Sequence, residues 1–175
     1  MNKVVLITGA SSGIGKETAL SLIKEGHIVY GVARRLEMMQ DIIQAGGHSI
    51  KMDILKERNI DEVVNQIIKE QKRIDILINN AGYGLWGAVE TISIAEAKRQ
   101  FDVNIFGLAY LTKKIIPLMR KQKSGKIINM SSMGGKVYTP FGAWYHATKY
   151  ALEGWSDCLR IELKSFGIDV ILIEP

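Results

Sequence analysis

The sequence predicts an α/β protein built on a doubly wound parallel sheet, with helices on both faces in three α/β/α layers. Short β-rich runs alternate with stretches long enough for a helix, a rhythm that joins parallel strands through crossover helices. Residues 4–7 are apolar throughout, and 74–78 are apolar apart from Asp75, instead of alternating, as strands buried on both faces require. The chain has 175 residues, room for one domain spanning 1–175 and too little for two full ones.

The elements follow in order. Strands are expected at 4–7, 27–32, 48–52, 74–78, 126–130 and 169–173. Apolar residues at three- and four-residue spacing predict amphipathic helices over 15–25, 60–71, 95–122 and 144–166. No internal repeat or Pro-rich linker interrupts this pattern, and the chain has only three prolines. In such a sheet, ligands lie beyond the carboxyl ends of the strands, at the point where strand order reverses.

Composition excludes several classes. Hydrophobic residues make up 47% and charged residues 23%, the balance of an ordinary globular chain, which argues against wholesale disorder. No apolar run is long enough for a membrane span, and the first strand starts too close to Met1 for a signal peptide. The single cysteine, Cys158, supplies neither an internal disulfide nor a metal cluster, so no metal site and a reducing, cytoplasmic setting are expected. Lys and Arg exceed Asp and Glu by 23 to 18. Much of that excess falls at Lys113, Lys114, Arg120, Lys121, Lys123 and Lys126, without interleaved aromatics, which reads as a solvated helix end and loop and not as a nucleic-acid surface.

Thr8-Gly9-Ala10-Ser11-Ser12-Gly13-Ile14-Gly15 follows the first strand and runs straight into a helix. Glycine permits positive φ and lets a ligand approach the backbone, while the helix N-terminus attracts a pyrophosphate. A dinucleotide site is therefore expected, although the spacing Gly-x-x-x-Gly-x-Gly departs from the general Gly-x-Gly-x-x-Gly. At the end of the second strand, where NAD-binding proteins place an acid for the ribose, this chain has Ala33-Arg34-Arg35. A guanidinium there rewards a 2′-phosphate, so NADP(H) is favoured over NAD(H). Glu37 stands as an alternative, displaced ribose acid, which keeps NAD(H) open.

Tyr145 and Lys149 lie four residues apart on a predicted helix and so share a face. A free phenol titrates near about 10 and exchanges protons poorly at neutrality unless a cation stabilises its phenolate. Lys149 supplies such a cation.

The turn at 8–15, Asn79-Asn80-Ala81-Gly82, Asn104, Ser131-Ser132 and Tyr145 to Lys149 together resemble the short-chain dehydrogenase/reductase family, in family order and spacing along the whole chain. That resemblance implies a Rossmann-type fold and a reaction between a carbonyl and an alcohol. It implies Tyr145 as acid/base, Lys149 as the residue that activates it and grips the nicotinamide ribose, Ser132 as the group orienting the substrate oxygen, and Asn104 as the anchor of a relay water. It also implies cofactor contacts from Gly9, Ser11, Ser12, Gly13, Ile14, Gly15, Asp53, Asn80 and Ala81, with Asn79 and Asn80 alternatively tying strands together. Homodimers or homotetramers are implied through the two long helices.

The expected function is therefore an NADP(H)-dependent oxidoreductase for a small-molecule ketone or aldehyde and its alcohol, of carbonyl-reductase or hydroxysteroid-dehydrogenase type. A non-catalytic NADP(H) sensor or scaffold is the alternative, against which the intact Asn104, Ser132, Tyr145 and Lys149 argue. His146 is expected to point away from Tyr145, towards surface or interface. Trp86, Trp144 and Tyr138 are expected in loops near the reaction centre, and residues 83–86 in an apolar cavity. The chain stops at Glu174-Pro175, directly after the sixth strand. A truncated chain lacking the family's C-terminal substrate lid is expected.

Overall fold

The computed structural model describes residues 2–175. Six parallel strands form one sheet: β1 (Val4–Thr8), β2 (Ile28–Ala33), β3 (His48–Lys51), β4 (Ile76–Asn79), β5 (Gly125–Met130) and β6 (Ile168–Ile173). Their spatial order is β3-β2-β1-β4-β5-β6, so the chain reverses direction across the sheet between β1 and β4. In register, Val5 to Ile7 pair with Ile76 to Ile78. The switch point expected from the sequence falls at this pair, where the loops after β1 and β4 diverge.

Strand β1 is buried along its whole length, and its alternate side chains serve two cores. Val4 and Leu6 pack with α3 (Glu57–Gln71) and α5 (Leu108–Gln122), while Val5 and Ile7 pack on the opposite face with Ala19 and Ile42. Those two residues belong to α1 (Gly13–Lys24) and α2 (Gln40–Gln44). Leu159 and Leu163 of α6 (Ala143–Leu163) join the first core. A strand buried on both sides has no polar face to show, hence its unbroken apolar run.

The helix expected over 95–122 is divided. It begins as α4 (Ile94–Phe101), widens into a π-helical turn at Asp102–Gly107, and continues as α5. Its true start is fixed by a capping box, in which Ser93 Oγ accepts from Glu96 N–H and Glu96 accepts from Ser93 N–H, satisfying two donors that a helix end leaves open. The wide turn carries Asn104 inwards, and such bulges often accompany functional sites. The last helix begins at Ala143, so Trp144 lies within it and not in a loop. Among the described residues, no helix is long and apolar enough to cross a membrane.

Candidate functional site

The turn after β1 is held by hydrogen bonds that only a specific backbone shape permits. Gly9 N–H donates to Val32 O at 2.9 Å, with Gly9 at φ +70° and Gly13 at φ +55°, values that L-residues with side chains rarely adopt. A methyl group on Gly15 would collide with the Asn80 amide and with Gly9 O. Thr8 Oγ1 accepts from Asn80 N–H at 3.0 Å and Ala81 N–H at 2.9 Å, and Asn80 Nδ2 donates to Thr8 O at 2.9 Å. Asn80 therefore clamps the ends of β1 and β4 together, as one of the two sequence readings held. Asn79 ties β4 instead to its other neighbours, its Nδ2 donating to Thr112 of α5 and Asn129 of β5.

Beyond these strand ends lies a cavity of about 670 Å³, a volume within the range of small-molecule and cofactor pockets. Gly9, Ser11, Ser12, Ile14, Arg34, Arg35, Asp53, Asn80 and Ala81 line it. Ser12 caps α1 with extended backbone and makes no side-chain capping bond, which leaves its hydroxyl for a ligand at the helix N-terminus. Arg35 is tethered towards Ser11, its Nη2 donating to Ser11 Oγ at 3.4 Å. Asp53 turns one carboxylate oxygen back to accept from Leu55 N–H. Glycine backbone, serine hydroxyls, a helix N-terminus and two guanidinium groups suit a polyanionic, extended nucleotide.

A second cavity of about 460 Å³ adjoins the first, and the two share Ile14, Asn80, Gly82 and Tyr83. Ser132, Tyr145 and Lys149 open into it together with Trp86, Met133 and Val137. Ser132 caps a short 3₁₀ turn, its Oγ accepting from Gly134 N–H at 3.1 Å. The Trp86 and Tyr145 rings lie 5.6 Å apart between centroids. Lys149 Nζ stands 5.7 Å from the centre of the Tyr145 ring and donates to Met130 O at 2.7 Å. Burial lowers the pKa of this lysine from the usual range to about 8, with the nearby Glu153 carboxylate opposing the shift.

Asn104 lies behind the cavity wall, 2% exposed. Its Oδ1 accepts from Tyr83 N–H at 3.1 Å, and its Nδ2 donates to Tyr83 O at 2.9 Å and Thr148 Oγ1 at 3.1 Å. The side chain thus ties the loop after β4 to α6. His146 does not face the surface, as the sequence led us to expect. It is buried, accepting at Nε2 from Thr139 N–H at 3.1 Å and so donating from Nδ1 to Gly134 O at 2.8 Å. Both ring nitrogens are spent on the backbone of the 133–139 loop, which fixes one neutral tautomer. Trp144 faces a separate cavity with Ile94, Phe101 and Phe106, and Tyr138 is 83% exposed. Of the three aromatics expected near the reaction centre, only Trp86 lines it.

A six-stranded sheet with its polar residues gathered at the switch point, beside a glycine turn and a helix N-terminus, defines a Rossmann-type nucleotide-binding protein. The chain belongs to the short chain dehydrogenase family, whose pattern matches residues 3–175. It is 42% identical over 173 residues to a 3-ketodihydrosphingosine reductase of Bacteroides thetaiotaomicron, covering 99% of this chain and 63% of that protein. A short-chain dehydrogenase of Streptomyces avermitilis superposes with a TM-score of 0.97 at 38% identity, over 100% of this chain and 65% of that one. A 3-ketoacyl-(acyl-carrier-protein) reductase of Brucella melitensis, solved with NADH, gives a TM-score of 0.95 at 32% identity, over 99% of this chain and 75% of that one. The chain thus spans a little under two thirds of the first two proteins.

Proposed function

We propose that this protein is an NADP(H)-dependent oxidoreductase interconverting a ketone or aldehyde and its alcohol, with residues 1–175 acting as one dinucleotide-binding and catalytic domain. The observation that carries the reading is the junction of the two cavities. Tyr145, Lys149 and Ser132 open into one, the glycine turn and Arg34 into the other, and Ile14 and Asn80 line both. Family membership and the kinship with a 3-ketodihydrosphingosine reductase support a carbonyl substrate.

Gly9, Ser11, Ser12, Gly13, Ile14 and Gly15 would hold the cofactor's pyrophosphate, Asp53 its adenine, Asn80, Ala81, Tyr145 and Lys149 its ribose and nicotinamide end. Bound there, NADP(H) supplies or accepts the hydride. Arg34 would take the 2′-phosphate, which an acid in its place would repel. The Brucella neighbour holds NADH, so the preference for NADP(H) rests on this guanidinium.

The chain's own residues then handle the oxygen. Ser132 and Tyr145 hydrogen-bond the substrate carbonyl and orient it. Tyr145 gives its phenolic proton to that oxygen as the alcohol forms, and the Lys149 ammonium stabilises the phenolate left behind. Trp86 walls the site against water. Asn104 holds the Tyr83 backbone and α6 in place, and the family resemblance would also give it the water that returns a proton to Tyr145. In the oxidative direction the same groups act in reverse order.

Exposed apolar residues on the two long helices, Phe106 at 62% and Ile161 at 80%, support association as a homodimer or homotetramer. The lone cysteine supports a cytoplasmic setting. The test is loss of NADPH absorbance with a panel of uncharged ketones. Tight NADPH binding with no turnover of any ketone would instead favour a sensor or scaffold.

A further inference from the structure

One buried carboxylate has no task in the scheme above. Glu153 lies on α6 four residues after Lys149 and is 6% exposed. Its Oε2 meets Lys136 Nζ at 2.8 Å, and the same ammonium reaches Glu174 at 3.4 Å. Among the described residues, Glu153 Oε1 and the buried Ser131 Oγ have no hydrogen-bond partner. Both press on Gly135, where a Cβ would fall 3.1 Å from each of them and 2.9 Å from Glu153 Cγ. The carboxylate is therefore packed against the backbone that follows Ser132, a fit that only glycine at 135 permits.

Burying a carboxylate costs several kcal/mol unless cations compensate it. Two ammonium groups are available, Lys136 on the loop and Lys149 one helical turn back. Lys149 forms no ion pair with Glu153 and feels its charge through space, which raises the lysine's pKa against burial; among the described residues its sole hydrogen-bond acceptor is the neutral Met130 carbonyl. The other titratable groups around it offer no negative charge in their neutral forms. They are Tyr145 on the same helix, Tyr83 across the cavity, and His146, whose two nitrogens are engaged by the loop.

We propose that Glu153 is a positioning residue: it holds Lys149 in its charged form and, through Lys136 and Gly135, seats the segment that carries Ser132. It touches neither substrate nor cofactor and acts through these neighbours. Its value to turnover rests on the oxidoreductase reading; its effect on Lys149 does not.

The test reads Lys149 directly in the full-length protein. Acetylation by acetic anhydride consumes only the neutral amine, so its rate against pH, followed by peptide mass spectrometry, gives the titration midpoint without requiring turnover. Glu153→Gln should lower that midpoint by about one pH unit, the scale expected when one nearby opposite charge is removed. Glu153→Asp should recover part of that difference, and Gly135→Ala, which displaces the carboxylate without deleting it, should move the midpoint in the same direction. The alkaline limb of ketone turnover should follow. An unmoved midpoint in whichever of Glu153→Gln and Gly135→Ala remains folded overturns the proposal. A lowered midpoint in a protein that reduces no ketone would leave the proposal standing and remove the enzyme reading instead.

Discussion

Lys149 Nζ donates to the main-chain carbonyl of Met130 across 2.7 Å, so the ammonium one turn from Tyr145 also fastens α6 to the end of β5. A buried cation used as a structural tie carries a cost. Burial brings its pKa from the ordinary 10.5 to about 8.

That cost has a sign and a window. The unfolded chain binds the Lys149 proton up to a higher pH than the folded chain does, so this residue's contribution to stability rises with pH between about 8 and 10.5. Replacing it with an uncharged side chain should abolish that rise. Urea unfolding of wild type and Lys149→Met at pH 7 and pH 9.5 should show the difference between them changing by roughly one to three kcal/mol, because a tenfold change in a proton-binding constant is worth about 1.4 kcal/mol. A constant difference at both pH values would refute a depressed lysine.

Tyr145→Phe keeps the ring that packs on Trp86 and removes only the hydroxyl. NADPH affinity should stay within about threefold, while turnover should fall by roughly 10²- to 10⁴-fold, the usual worth of a positioned proton donor. Fluorescence titration and steady-state rates separate the two effects. Turnover at the wild-type rate would remove Tyr145 from the mechanism.

Arg34 opens into the nucleotide cavity, where the acids among the described lining residues are Asp53 and, further along, Glu96. Arg34→Ala should weaken NADPH by roughly 10- to 100-fold, as loss of a charged hydrogen bond implies, and leave NADH nearly unchanged. Equal weakening of both would show that the guanidinium does not read the 2′-phosphate, and Arg35, tethered to Ser11, would take its place.

Much of this organisation was legible beforehand because it depends on short-range rules. The apolar runs at 4–7 and 76–78 gave the buried strands, the glycines after β1 gave the turn, and the four-residue spacing of Tyr145 and Lys149 put them on one helix face. Other features depend on what lies across the fold. His146 reads as a surface residue because Gly134 O and Thr139 N–H are brought to it only by the folded loop. Glu153 reads as one more helix carboxylate until Gly135 and Lys136 close over it. The π-helical turn at Asp102–Gly107 follows no periodicity rule, since Asn104 is drawn inwards by Tyr83 and Thr148. By contrast, Ser93-Ile94-Ala95-Glu96 is a readable capping box that marks the start of α4 one residue before the expected boundary.

Asn104 makes three side-chain hydrogen bonds inside the protein, and truncating it leaves Tyr83 N–H and Thr148 Oγ1 without this partner, while Tyr83 O keeps its bond from Gln100 Nε2. Asn104→Ala should cost about 2 kcal/mol, the scale for buried groups left unpaired, measured as a shift in the urea midpoint at constant slope. A cost below about 0.5 kcal/mol would mean that water replaces the side chain freely and that the clamp holds nothing.

The cavity beside Tyr145 sets the last expectation, because its walls carry almost no charge. Among the described residues, Lys149 is its one lysine and no carboxylate or arginine side chain lines it, while Trp86 and Met133 stand 55% and 66% exposed at its edge. A neutral, apolar ketone meets this surface at little desolvation cost, its oxygen exchanging water for Ser132 and Tyr145, whereas a carboxylate near the reacting carbon would be stripped of water with only a lysine already bound to Met130 to receive it. Each methylene buried against Trp86, Met133 and Val137 is worth about 0.8 kcal/mol. Across a series of unbranched methyl ketones, kcat/KM should therefore climb about three- to fourfold per added carbon until the 460 Å³ space is filled, and a terminal carboxylate on the shorter members should reverse the gain. Met133→Ser with Val137→Ser should flatten the slope for the long members and leave the shortest ketone unaffected. A series that is flat in wild type, or steepest for the charged members, would rule out an apolar substrate.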